Sequence, residues 1–136
     1  MATATDDMKQ RTRAFALRTL RLSQALPKGR IGEVLARQLL RSGTSVGANY
    51  RAACRARSHA DFIAKMGIVE EELDESLYWM DLILQESLVT QQRLGPLMKE
   101  ADELLSMTVA SVKTARSNRR GEATRKSALR TRQSAI

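Results

Sequence analysis

The stretch SHADFIAKMGIVEEELDESLYWMDLIL, residues 58–84, decides the fold. Apolar residues return in it every three or four positions, a spacing typical of an α-helix that buries one face in a left-handed bundle. These positions are Phe62, Met66, Val69, Leu73, Leu77, Met80 and Leu84. Ser58 and Asp61 precede the run in the Ser-x-x-Asp pattern of a capping box, with Ser58 as the N-cap. The stretch therefore predicts a helix over about residues 58–86.

More of this predicted helix is apolar than one neighbouring helix covers. Ile63, Ile68, Tyr78, Trp79 and Leu82 lie outside the repeating positions. Apolar side chains at several angles around a helix indicate burial against more than one surface. We therefore expect a second burial surface, provided by other copies of the chain.

Three further helices are predicted around this one, and their apolar residues also recur at helical spacing. They cover about residues 6–25, 30–56 and 95–116. Pro27-Lys28-Gly29 ends the first, and Pro96 suits the opening turn of the last, with Thr90 as a possible cap before it. Four helices with short connectors predict an all-α fold, an antiparallel up-down-up-down four-helix bundle within residues 1–117.

The centre of the second helix is rich in small residues. They are Ser42, Gly43, Thr44, Ser45, Gly47 and Ala48. Small side chains let two helix backbones approach closely, which is the interpretation we favour. A kink or a ligand niche is the alternative. The segment lacks the preceding strand and the lysine of a phosphate-binding loop.

Charge is segregated along the chain, whose net charge is +8. Basic residues exceed acidic ones in residues 1–57 and again in residues 118–136, whereas acidic residues dominate residues 58–117. The last segment has few large apolar groups and is predicted to be a disordered basic tail. Such a tail either keeps the protein soluble or attracts phosphate. Its candidate nucleic-acid-binding residues are Arg119, Arg120, Arg125, Lys126, Arg130 and Arg132.

The second helix carries five arginines on one side. At 100° per residue they fall within about 80° of one another, away from the side of Ile31, Leu35 and Val46. We call them the arginine stripe: Arg30, Arg37, Arg41, Arg51 and Arg55. Guanidinium groups make planar, forked contacts with carboxylates and phosphates, so the stripe is a candidate nucleic-acid-binding surface.

Three interpretations of the arginine stripe remain open at this point. It is a solvated face, or it pairs with the acidic third helix within or between subunits, or it contacts nucleic-acid phosphates. The acidic residues concerned are Glu70, Glu71, Glu72, Asp74, Glu75 and Asp81. Aromatic residues occupy helical positions suited to packing, so phosphate contacts would dominate any nucleic-acid binding and sequence specificity would be weak.

Catalytic and metal-binding patterns are poorly supported. His59 is the one histidine, placed at the start of a helix, and Cys54 is the one cysteine. A di-iron bundle needs two Glu-x-x-His pairs, and a single cysteine forms no internal disulfide. We expect no enzymatic activity, no metal and no cofactor. Residues 1–7 lack a secretory pattern and no run approaches the ~18 apolar residues of a membrane span, which predicts a soluble cytoplasmic protein.

Five short runs resemble a known family. They are SVGANYRAA at 45–53, RARS at 55–58, DFIAK at 61–65, IVEEE at 68–72 and DESLYW at 74–79. They are similar to the four-helix bundle protein family encoded in intervening sequences of bacterial 23S ribosomal RNA genes. That family is related to the accessory variability protein of diversity-generating retroelements. The resemblance covers about residues 15–115, so the basic tail lies outside it.

The resemblance implies an antiparallel four-helix bundle that forms a homopentameric ring without known enzymatic activity. In the retroelement branch it further implies a basic ring that binds nucleic acid and docks a reverse transcriptase. Two hypotheses follow from the residues and the resemblance together. The chain is a nucleic-acid-associated oligomeric adaptor, or it is a protein scaffold whose arginine stripe makes subunit contacts.

Overall fold

Four α-helices make up the part of the chain that the structure, a computed structural model, describes, residues 2–134. They are α1 (Ala4–Ala25), α2 (Arg30–Cys54), α3 (His59–Gln85) and α4 (Gln91–Ser134), and no strand occurs in this range. The predicted all-α fold is confirmed. The starts of α1, α2 and α3 lie within two residues of the predicted ones.

Side chains cap the first and third helices. The Thr3 hydroxyl accepts a hydrogen bond from the Asp6 backbone N–H at 3.0 Å, and Thr3 N–H donates to the Asp6 carboxylate at 3.3 Å. The Ser58 hydroxyl accepts from the Asp61 N–H at 3.1 Å, which confirms Ser58 as the N-cap of α3. The second half of the predicted capping box does not form, because the Asp61 carboxylate bonds Lys65 Nζ at 2.8 Å instead.

Each helix packs against two others. α1 contacts α2 and α4, and α3 contacts α2 and α4, so the helices enclose one core. Phe15, Leu39, Leu73 and Leu104, one from each helix, are completely buried there. The buried face of α3 includes Ser76 and Ile83 as well as four of the predicted positions, Met66, Val69, Leu73 and Met80. Phe62, Leu77 and Leu84 are half-buried at its margins.

The small residues of α2 bring it close to α1. A Cβ atom added at Gly43 would lie 2.5 Å from Thr19 Cγ2, and one added at Gly47 would lie 3.3 Å from the Thr12 carbonyl oxygen. Thr12 and Thr19 are themselves fully buried. Because α2 continues unbroken through this region, the structure favours close packing over a kink.

The fourth helix is much longer than the sequence predicts. It begins at Gln91, after the Thr90 hydroxyl accepts from the Arg93 N–H at 3.3 Å, and continues to Ser134. The predicted helix end near Arg116 and the predicted disordered tail are therefore wrong over residues 118–134, while residues 135–136 lie outside the described range. We call residues 118–134 the α4 extension.

Local composition explains the α4 extension. Ala, Arg, Lys and Glu have high helix propensity, and this segment contains no proline. Gly121 costs about 1 kcal/mol relative to alanine, which a single position in a long helix tolerates. At about 1.5 Å per residue the extension adds roughly 25 Å of helix. All its residues are exposed, so it lacks the apolar face that tertiary packing needs.

Several large apolar side chains remain on the surface. Ile31, Val34 and Tyr78 are 50–56% exposed, and Ile68 is 41% exposed. Ile31 therefore does not share the buried side of α2, contrary to the sequence-based expectation. Trp79 is half-buried, and its indole N–H is buried without a hydrogen-bond acceptor among residues 2–134.

Candidate nucleic-acid interface

All five residues of the arginine stripe are exposed. Four lie on the side of α2 opposite the core, and Arg55 follows as the C-cap of this helix. The buried side of the same helix is formed by Leu35, Leu39, Val46 and Tyr50. Since α2 packs against α1 and α3 through that buried side, no helix among residues 2–134 covers its arginines. The helical spacing thus correctly predicted where these side chains point.

Arg41 differs from the other members of the arginine stripe because it pairs with α3. Its guanidinium contacts Glu72 at 3.4 Å and makes a shorter bond with Glu75. The bond to Glu75 is the main reason that the pKa of Arg41 is raised. Burial raises the pKa of Glu72, and Arg41 opposes that shift. The shorter contact makes Glu75 the principal partner of Arg41. The predicted pairing with α3 therefore exists within one chain for this single arginine.

The remaining arginines of the stripe carry uncompensated charge. Within residues 2–134, no carboxylate lies within ion-pair distance of Arg30, Arg37, Arg51 or Arg55. Four exposed guanidiniums on one helix face create a positive potential that attracts polyanions. Phosphate contacts made by side chains of this kind carry no sequence information.

A groove between α1 and α2 extends this basic surface. Lys9 and Arg13 of α1 and Arg51 of α2 line a groove of about 510 Å³ whose floor includes Gly47 and Ala16. Thr44, Gly47 and Ala48, three of the small residues of α2, line this groove. Sequence reasoning missed Lys9 and Arg13. Their i, i+4 spacing on the exposed side of α1 was a usable signal, but their proximity to Arg51 depends on how two helices pack.

The basic residues of the α4 extension do not form a single surface. Arg119 and Lys126 turn toward the connection between α2 and α3, where Arg57 and His59 lie. Arg120, Arg125, Arg130 and Arg132 are exposed and do not line that cleft. The structure therefore divides the predicted tail residues into two groups.

Acidic residues form a separate exposed face. Glu71, Asp74 and Asp81 of α3 are exposed and have no ion-pair partner within residues 2–134. The charge segregation along the sequence thus becomes a segregation between helices. Opposite faces of this kind complement one another when copies of a protein pack side by side.

No group of three or more histidine, cysteine, aspartate or glutamate side chains within the described range is placed to hold a metal ion. Cys54 is half-buried beside Tyr50, and burial is the main cause that raises the pKa of Tyr50 to about 12. None of the helices over residues 2–134 has the length and apolar character required to cross a membrane.

Comparison with known proteins decides the family. The family model described as 23S rRNA-intervening sequence protein matches residues 5–110, most of the chain. The chain belongs to this family. A crystal structure of a protein with unknown function from the S23 ribosomal protein family of Bacteroides thetaiotaomicron VPI-5482 is similar in fold, with a TM-score of 0.72 and 33% sequence identity. The match covers 78% of this chain and 98% of that one. No functionally curated protein matches.

Membership in the 23S rRNA-intervening sequence protein family confirms the resemblance seen in the five short runs. The matched residues include α1, α2, α3 and the first part of α4. The arginine stripe lies inside the matched range, whereas the α4 extension lies outside it. The extension is therefore a feature of this chain that the family pattern does not include.

Proposed function

We propose that this chain is a non-enzymatic, oligomeric nucleic-acid-binding protein of the cytoplasm. The observation that carries the proposal is the exposed arginine stripe, four of whose members have no acidic partner in residues 2–134. Arginine fits phosphate in a forked geometry, and contacts with backbone phosphates supply most of non-specific nucleic-acid affinity. The adjoining Lys9 and Arg13 enlarge the same surface.

The proposed assembly is a homopentameric ring of antiparallel up-down-up-down bundles. The helix direction is supported by the α1–α2 contacts, in which the later Thr19 meets the earlier Gly43 and the earlier Thr12 meets the later Gly47. Self-association is supported by exposed Ile31 and Tyr78, since such apolar side chains gain free energy on burial. Repetition of the arginine stripe around a ring multiplies the field that a polyanion encounters.

Within such an assembly the protein acts as an adaptor that holds nucleic acid near another factor. A reverse transcriptase or a ribosomal RNA transcript is the partner in this proposal, which rests on the family relationship. No membrane is involved.

Fluorescence anisotropy with a labelled RNA and a labelled DNA tests the binding. A variant with Arg30, Arg37, Arg51 and Arg55 changed to glutamine should bind at least tenfold more weakly. Its dependence of log K on log salt should also be shallower by about 3, because each lost phosphate contact removes about 0.7–0.9 from that slope.

The matched control removes four positive charges elsewhere. Arg93, Lys99, Lys113 and Arg116 are exposed on α4 and lie outside the arginine stripe. With these four residues changed to glutamine, affinity should stay within about threefold of the wild type. Equal affinity of the stripe variant and the wild type would reject the proposal.

A protein scaffold without a nucleic-acid role is the second candidate, favoured by the exposed acidic face of α3. Here the stripe meets the acidic face of the next subunit, so the same stripe variant should dissociate the oligomer. Light scattering on the wild type and the variant, read against the 15.2 kDa chain, separates the two candidates. If the stripe variant loses nucleic-acid binding but stays oligomeric, the adaptor is supported. If the stripe variant dissociates into single chains, the scaffold is supported.

A further inference from the structure

A basic cleft lies where the α4 extension passes the connection between α2 and α3. One wall consists of Arg57, Ser58, His59 and Ala60, and the other of Arg119, Glu122, Ala123 and Lys126. The cleft has a volume of about 540 Å³. Up to Ala115, the inner side of α4 packs in the core. Positions three and four residues further along, at Arg119, Glu122, Ala123 and Lys126, continue that side past the end of the bundle.

Positive charge converges on this cleft from two separate parts of the chain. Arg57 comes from the connection, and Arg119 and Lys126 come from the extension. Within residues 2–134 none of the three has a carboxylate at ion-pair distance. Glu122 is the acidic group in the lining, and its carboxylate lies 3.8 Å from His59 Nδ1. The lining thus holds three cationic side chains and one carboxylate, and an excess of positive charge around an opening attracts anions.

A second cleft adjoins the first and has a different character. It has a volume of about 460 Å³ and shares His59 with the basic cleft. Its other lining residues carry no charge and include the half-buried Phe62 and the small Ala110 and Ala115. An aromatic ring beside small side chains suits a flat nucleobase, which stacks favourably on aromatic groups.

We infer that the two clefts together bind a segment of single-stranded nucleic acid, which specifies a site for the proposed function and rests on it. Backbone phosphates lie between Arg57, Arg119 and Lys126, and an unpaired base enters the adjoining cleft beside Phe62 and His59. A base within a duplex is paired and stacked, so duplexes reach the basic cleft alone. The site depends on the α4 extension, which lies outside the family-matched residues.

The same site gives the α4 extension a reason to be helical. The extension has no buried side chain, and its large apolar residue Leu129 is 56% exposed. The end of a helix that no tertiary contact holds frays in water. A phosphate held by both Arg57 and Lys126 ties the extension to the bundle. Binding of nucleic acid should therefore increase the helix content of the α4 extension.

Fluorescence anisotropy of the full chain with a labelled 20-nucleotide oligouridine tests the site. Changing Arg57, Arg119 and Lys126 together to glutamine should weaken binding at least tenfold and reduce the salt slope by about 2. The control changes Lys99, Lys113 and Arg116 to glutamine, which removes the same charge from α4 outside both clefts, and should keep affinity within about twofold. A duplex of equal length should bind more weakly than the single strand, because its paired bases do not enter the adjoining cleft.

Two single substitutions should change the affinity in opposite directions. Ala123→Glu adds a carboxylate to the cleft wall and should weaken binding severalfold, whereas Glu122→Gln removes one and should tighten binding by about twofold. Circular dichroism on each variant checks that the bundle is folded, and on the wild type it should show a gain of helix when oligouridine is added. Inorganic phosphate at equal phosphate concentration should compete poorly, because it offers no base.

The outcomes separate this site from the wider proposal. If oligouridine binds and only the arginine-stripe variant loses affinity, the cleft is not the site and the nucleic-acid function stands. If the cleft variant and its charge-matched control lose affinity equally, binding is unlocalised electrostatic attraction and the site is rejected. Competition by inorganic phosphate as strong as by oligouridine identifies an anion site instead of a nucleic-acid site. No binding of any nucleic acid by the wild type rejects both proposals.

Discussion

Replacing Gly43 with alanine tests how tightly α1 and α2 are packed. The new Cβ would lie 2.5 Å from Thr19 Cγ2, 2.7 Å from its Oγ1 and 2.9 Å from its Cβ. Real Cβ contacts are longer than these distances. Rotation of the Thr19 side chain relieves the first two contacts but leaves the third, so one of the helices must shift. Thr19 is completely buried, which leaves it little room.

The expected cost follows from two opposing effects. Overpacking a tight core position costs about 1–3 kcal/mol, while alanine is favoured over glycine within a helix by about 1 kcal/mol. Gly43→Ala should therefore lower the free energy of unfolding by up to about 2 kcal/mol, measured by urea denaturation followed by circular dichroism. The variant Thr19→Ala should recover part of this loss when combined with Gly43→Ala, which a double-mutant cycle detects as a coupling energy.

Gly67→Ala is the matched control. Gly67 is also inside a helix, α3, but a Cβ there would meet no atom within 4 Å. Only the helix propensity changes, so this variant should be more stable than the wild type by up to about 1 kcal/mol. If Gly43→Ala proves as stable as Gly67→Ala, the close approach of α1 and α2 is not the reason for the small residues of α2.

Three other substitutions test separate parts of the structure. Arg11 joins α1 to α4 by bonding Glu100 at 2.5 Å, so Arg11→Gln should lower the free energy of unfolding by about 1 kcal/mol in urea denaturation. Lys65 is the main cause that lowers the pKa of Asp61. The ionised carboxylate therefore stabilises the fold at pH values above its ordinary pKa, and this stabilisation is lost on acidification. The difference in the free energy of unfolding between Asp61→Asn and the wild type should shrink as pH falls below about 4. Gly121→Ala should raise helicity in circular dichroism without changing the midpoint of bundle unfolding, because a Cβ there meets no other atom.

The sequence predicted the bundle well because its signals are local. The start of α3 follows from Ser58, whose hydroxyl bonds the Asp61 N–H as expected. The arginine stripe follows from angular spacing along one helix and needs no knowledge of its neighbours. Lys9 and Arg13 join the basic surface only because α1 packs beside α2. The pairing of Arg41 with α3 depends on the register between α2 and α3. Neither is fixed by the spacing of residues in one helix.

The sequence pattern did not predict the α4 extension, for a different reason. The apolar repeat of α4 ends at Ala115, and a polar segment without such a repeat predicts disorder. Amphipathicity predicts which helices pack, whereas helix propensity determines whether an exposed polar segment remains helical. The sequence did not predict the cleft beside Arg57 and His59, because this cleft exists only when α4 continues past the end of the bundle.

Trp79, whose indole N–H is buried, gives the protein an intrinsic fluorescence signal from a single site. The chain has one tryptophan, and its ring meets Tyr78 edge to face at a centroid distance of 5.0 Å. Tyr78 is 56% exposed, so any molecule that covers it also changes the polarity around the indole. Emission wavelength and iodide quenching of the unlabelled protein can therefore test whether copies of the chain associate through this surface, at concentrations too low for light scattering.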